Sequence, residues 1–205
     1  MPEFQIDHTS NYLYMQSILS AYTSNIARER GMDNRALIGL SILLSFFASA
    51  RVAQLYVWPR LRDLPREEAL NALVAPHMFR FIGLSFLLPD VVSPSLPHSF
   101  ALHAAYGDLA ATILAGIATL ALSARASWAI PVTWLLSVVG TVDLLYAYYD
   151  GLFGVRLAPG VLGAAVYIPT MLVPPLLVAH VMAFRVLLSA TRGAGLDQAI
   201  ASRSA

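Results

Sequence analysis

Two aspartates set deep in apolar sequence are the residues of this chain best placed to do chemistry. Asp108 stands seventeen residues before Arg125 and Asp143 eighteen after it. The small, polar stretch 123–127 around that arginine reads as the bend of a helical hairpin. If both arms rise equally per residue, the two carboxyls come to one height. Carboxylates facing each other away from water cannot both ionise cheaply. They would share a proton, bind a cation or hold a cationic ligand. The plainer alternative is a protonated carboxyl bonded to a hydroxyl such as Ser137, Thr112 or Tyr146.

Other ionisable and aromatic groups cluster around this pair. Tyr146 follows Asp143 by three positions and comes level with His103 across the hairpin. The candidate ligand-binding set is therefore Asp108, Asp143, His103, Tyr106 and Tyr146, with Arg51 and Arg80 as intramembrane cations. Depth along the helices sorts these groups into two layers. One holds His103, Tyr106, Asp108, Asp143, Tyr146 and Asp150, with His98 nearer the mouth. The other holds Arg51, His77, Arg80, His180 and Arg185. Arg51 lies nearly two turns from the aspartates, so direct pairing with them is not expected, and snorkelling toward the interface near Trp58 is. His77 and His180, on different helices at similar depth, have the placement of axial ligands for a b-type haem, which needs imidazoles facing across a slot. No other cofactor and no metal is specified. Tyr148 and Tyr149 read as part of an interfacial aromatic belt.

Composition explains why these charges stand out. The chain has 205 residues, 58% hydrophobic and 12% charged, roughly half the charge of a soluble domain. Its apolar residues come in long blocks, which places it in the membrane class. The net charge is +1, with basic and acidic residues scattered, so no face is suited to nucleic acid. With no cysteine, disulfides, thiolate metal sites, palmitoylation and a cysteine nucleophile are excluded. No phosphate-binding glycine loop, nucleophile elbow, zincin motif or dinucleotide fingerprint is present, which leaves those chemistries without support.

The fold expected is all-α: a polytopic transmembrane bundle of about five spans with an N-terminal amphipathic helix. Residues 1–35 form that interfacial segment. Tyr12, Met15, Ile18, Leu19, Tyr22 and Ile26 recur at helical spacing, Ser10 is a fair N-cap and Gly31 a fair stop. No basic region followed by an apolar core precedes them, so no cleavable signal is expected. The bundle occupies residues 36–188, with spans near 36–58, 77–89, 99–122, 128–149 and 161–188. The second is short for crossing ~30 Å of hydrocarbon and needs help from its flanks. In the third, Ala104, Asp108, Ala111, Ala115 and Ala118 form a small-residue stripe, matched in the fourth by Thr133, Ser137, Gly140, Asp143 and Ala147. Pro169, Pro174 and Pro175 bend the fifth. Residues 189–205 read as a flexible tail.

With five crossings, Arg28, Arg30, Arg35 and Arg156 share one side, while Arg60, Arg62, Arg66, Arg125, Arg192 and Arg203 share the other. The positive-inside rule then favours N-out, C-in. The segments Phe79-Arg80-Phe81-Ile82-Gly83, Leu96-Pro97-His98-Ser99-Phe100-Ala101 and Tyr106-Gly107-Asp108 resemble a pattern in small multi-pass bacterial inner-membrane proteins of unknown function. The chain is also distantly similar to the four-helix DoxX-type membrane proteins. The first resemblance implies that Arg80, Gly83, Pro97 and Asp108 are family features, and it implies no activity. Three functions follow as expectations. The first is an accessory or binding protein of the bacterial inner membrane, whose polar layer holds a small hydrophobic or cationic ligand, an ion or a partner helix. The second is a proton- or cation-coupled carrier using Asp108 and Asp143. The third is a membrane enzyme or haem redox subunit using His77, His103 and His180. The expected partners are the lipid bilayer and a membrane protein or a second copy of this chain.

Overall fold

A computed structural model describes the backbone of residues 8–158 and 160–203, and the side chains of 15–20, 34–158 and 160–189. The described residues form helices and turns with no strand. They divide into two compact units, Met1–Gly39 and Leu40–Ala205. In the first unit the side chains of Met15, Ile18 and Leu19 are exposed. Those of Tyr12, Tyr22 and Ile26, expected on the same apolar face, lie outside the described residues. Helix α1 (His8–Val52) continues through Gly31, which was expected to stop it. A glycine inside a helix costs only about 1 kcal/mol relative to alanine, less than is needed to end it.

Among the described residues, five helical stretches are long and apolar enough to cross a membrane: Asn34–Leu61, Arg66–Leu87, His98–Ser123, Ala129–Gly154 and Gly163–Ser189. The second resolves the problem of the short apolar segment. Helix α2 (Arg66–Val74) passes without a break into a 3-10 helix, Ala75–Leu87. A 3-10 helix rises about 2.0 Å per residue against 1.5 Å for α, so these thirteen residues cover about 26 Å instead of about 20 Å. It also has three residues per turn, so residues three apart stack in a straight line. His77, Arg80, Gly83 and Phe86 are the buried residues of the segment, and they form that line.

Helix α3 (His98–Ser123) and helix α4 (Ala129–Tyr149) make the expected hairpin. Its bend is closed by Ala126 N–H on Ala121 O at 3.0 Å and Arg125 N–H on Leu122 O at 3.1 Å. Arg125 takes the left-handed conformation (φ 51°) that usually falls to glycine in such a helix stop. Ala104, Asp108, Ala111, Ala115 and Ala118 are all buried, as are Thr133, Ser137 and Gly140 on the facing arm.

Helix α5 (Val173–Arg203) runs on beyond Leu188 as helix, where a loose tail was expected. It is entered through a wide turn, Ile168–Leu172, in which Val173 N–H bonds Ile168 O. In that register the next carbonyl, Pro169 O, would turn to residue 174, a proline without an N–H. Tyr148 supplies the donor instead, its hydroxyl reaching Pro169 O at 2.6 Å. Tyr148 is thus a bridge between α4 and the start of α5. Tyr148→Phe should cost about 1–3 kcal/mol, read as a lowered unfolding temperature in detergent, because it strands that carbonyl. Tyr149→Phe, at a side chain 61% exposed, should change nothing measurable.

The core of the second unit has two apolar clusters. One gathers Leu70, Leu73, Ala111, Ala115, Ala118, Leu136 and Leu187, and the other Phe86, Phe100, Ala104, Leu144, Ile168 and Leu177. Along the 3-10 helix, α3, α4 and α5 the positions between the two clusters carry buried polar groups: His77 and Arg80, Asp108, Ser137, and His180.

Candidate functional site

These polar groups form one layer, correcting the two layers expected, and Arg80 is its centre. No part of the Arg80 side chain is exposed. Its Nε donates to Asp108 Oδ1 at 2.7 Å, its Nη1 to Gly140 O at 3.3 Å, and its Nη2 to Asp143 Oδ2. One guanidinium therefore ties the 3-10 helix to both arms of the hairpin. Both aspartates bond this one cation, which stands between them. The hydroxyls considered as their partners are engaged elsewhere or nowhere. Thr112 bonds the backbone carbonyl of Asp108, and Ser137 Oγ has no partner.

Two glycines let the parts come this close. A methyl group on Gly83 would fall on the Asp108 side chain, and one on Gly107 on the Asp143 carboxylate. Gly83 is one 3-10 turn beyond Arg80, so the same line of residues supplies the cation and the space for its partner. The spacing of three from His77 to Phe86 was the trace of this in the sequence. It escapes notice when the segment is laid out at the α-helical repeat.

The two carboxylates differ in access. Asp108 has 8% of its side chain exposed and Asp143 22%. Asp143 lines a small, partly open cleft with Phe100, His103, Ala104, Tyr146, Ala147 and Asp150. The rings of His103 and Tyr146 meet edge to face across the hairpin, 6.3 Å between centroids. Its enclosed space is about 10 Å³, room for about one water-sized guest, so it suits a small charged head group and nothing larger.

Other expected members stand elsewhere. Tyr106 is 57% exposed and takes no part in the cleft. A tyrosine two positions before Asp108 on a helix points away from the face that carries it. Arg51 is exposed and donates to Gln54 Oε1 at 2.7 Å, outside the polar layer. Arg185 stacks over the Trp58 ring at 3.8 Å. His77 and His180 are both buried, but their rings lie against each other with centroids 3.9 Å apart and planes 32° apart. A haem iron needs two imidazole nitrogens aimed at it from opposite sides of a macrocycle. Rings already in face contact leave no slot for one, so the arrangement does not fit a b-type haem. Among the described residues no group of three or more His, Cys, Asp or Glu side chains could hold a metal ion.

Comparison with known proteins gives a family match over residues 37–188, most of the chain and all of the polar layer, to a family described as "Domain of unknown function (DUF8737)". No curated protein and no solved structure matches the chain.

Proposed function

We propose, for a chain that belongs to the DUF8737 family, that it is a multi-pass protein of the bacterial inner membrane whose polar layer binds a small cation beside Asp143. Large apolar side chains at the outer surface support the membrane setting. Leu43, Phe47, Leu120 and Val181 are each 68–72% exposed, on helices long enough to span. The uneven division of arginines between the two ends supports an N-out, C-in orientation.

The observation that carries the ligand reading is that Asp143 faces two ways. It holds Arg80 and also lines the cleft. One guanidinium stands against two carboxylates, and Asp150 adds a third acid at the cleft wall. Phe100, His103 and Tyr146 offer ring faces and edges around it. Acidic groups beside aromatic rings attract cations by charge and by the ring quadrupole. A cation bound there competes with Arg80 for the same carboxylate. That competition favours the carrier as the second reading, because ligand entry would loosen one of the bonds joining three helices.

The test is thermal unfolding of the detergent-purified protein with methylammonium added. At a hundred times the dissociation constant, a ligand specific to the folded state stabilises by about 2.7 kcal/mol. Asp143→Asn and Asp150→Asn should remove that stabilisation, while Asp108→Asn lowers the unfolding temperature and leaves the ligand-induced rise in place. A carrier further requires that Asp143→Asn abolish uptake of the same cation into proteoliposomes. No cation-dependent rise in the wild-type protein, or an equal rise in Asp143→Asn, rules the cleft out.

A further inference from the structure

Beyond the cleft, three side chains of the same layer keep a polar atom that is buried and unpartnered: His77 Nδ1, His180 Nε2 and Ser137 Oγ. Their residues are at most 1% exposed. They come from three different elements, the 3-10 helix, α5 and α4. His77 and His180 are in ring contact at 3.9 Å. His180 Nε2 is brought to α4 at Gly140, where a carbon in place of the glycine hydrogen would stand 2.7 Å from Nε2 and 3.1 Å from Arg80 Nη1. Ser137 is one helical turn before Gly140 and fully buried on the same face. Native interiors seldom leave such atoms bare, and three in one layer from three helices is a cluster that calls for a shared partner.

We infer that His77, His180 and Ser137 enclose a site for one buried water molecule, hydrogen-bonded to His77 Nδ1, His180 Nε2 and Ser137 Oγ. Three partners is the usual coordination of an internal water. A hydroxyl and an imidazole nitrogen can each donate or accept, so a neutral guest able to do both matches them. A cation is disfavoured because the Arg80 guanidinium flanks the same glycine. An anion would look to Arg80, whose Nε, Nη1 and Nη2 already bond Asp108, Gly140 and Asp143. The water carries the polar layer on from the triad to α5, the one helix of the layer that Arg80 does not bond. The site stands independently of the cation cleft.

The experiment is a thermal double-mutant cycle on the full chain in detergent, with Ser137→Ala, His180→Phe and the pair. Removing one member of a shared water site leaves the others short of a partner, so Ser137→Ala lowers the unfolding temperature by about 2–4 °C. The double variant then falls by less than the sum of the single ones, because the second change removes a site already broken. If the atoms are bare, Ser137→Ala raises the unfolding temperature, and the inference is overturned. Strict additivity overturns it as well. Should His180→Phe fail to fold, isotope-labelled histidine in the wild-type protein decides. Cross-relaxation from a long-lived water to the His77 and His180 rings supports the site, and its absence sinks it.

Discussion

Arg80→Met should leave almost no folded protein on size-exclusion chromatography in mild detergent. The triple change Arg80→Met, Asp108→Leu, Asp143→Leu should recover most of it. Removing the guanidinium leaves Asp108 and Asp143 facing each other with no cation between them, at a position where Arg80 is wholly buried and Asp108 nearly so. Breaking a buried ion pair from one side costs about 3–5 kcal/mol, because the partner remains buried and uncompensated. A typical domain has only about 5–15 kcal/mol in all. Leucine has the forked shape of the aspartate side chain with bulkier ends, and methionine is three non-hydrogen atoms shorter than arginine, so the triple variant removes the charges at the cost of local repacking. Replacing a whole buried ionic group by apolar residues is often neutral or stabilising. Arg80→Lys should fall between them, since an ammonium lacks the planar fork that here reaches Asp108, Asp143 and Gly140 at once. A wild-type unfolding temperature for Arg80→Met would show that the triad does not hold the helices together.

The second large effect is an asymmetry between two glycines. Gly83→Ala should lower stability by about 1–3 kcal/mol, the usual range for overpacking, while Gly107→Ala costs clearly less. A methyl on Gly83 would meet Asp108 at its root as well as its tip, with Cβ at 2.6 Å and Cγ at 2.7 Å. That side chain cannot swing aside without its helix moving. A methyl on Gly107 meets chiefly the far end of Asp143, whose carboxylate has the cleft to move into. Gly107→Ala should therefore spare folding and weaken binding at the cleft. Unfolding temperatures of the two variants, measured side by side with methylammonium titrations, check both halves. Equal losses of stability would contradict the difference in freedom between the two aspartates.

Much of this architecture was legible before any coordinates. Long apolar blocks and scarce charge mark the spans, because a helix that crosses hydrocarbon must satisfy its backbone internally and present apolar side chains outward. Small residues at Ala111, Ala115 and Ala118 mark the face where α3 packs closely. The symmetric distance of Asp108 and Asp143 from the bend places them together, because both arms rise by the same amount per residue. His103 and Tyr146 pair across the hairpin for the same reason.

The α-helical rise puts Arg80 at a different depth from the aspartates. The chain instead takes a 3-10 path from Ala75 to Leu87, which lengthens the segment and turns a spacing of three into a straight line of buried side chains. Arginine also reaches several ångströms from its own backbone, so height along a helix does not say which carboxylate it will find. The histidines illustrate the same limit: similar depth suggested ligands facing across a gap, whereas packing laid the rings together. The sequence by itself determined that Asp108 and Asp143 share a level and that His103 faces Tyr146, since hydrophobicity and helical rise are local properties. Only the tertiary structure decided that one guanidinium binds both aspartates, that Asp143 and not Asp108 opens to a cleft, and that Tyr106 stands apart. Those outcomes depend on which helix faces turn toward each other, and packing settles that only when all the helices are in place.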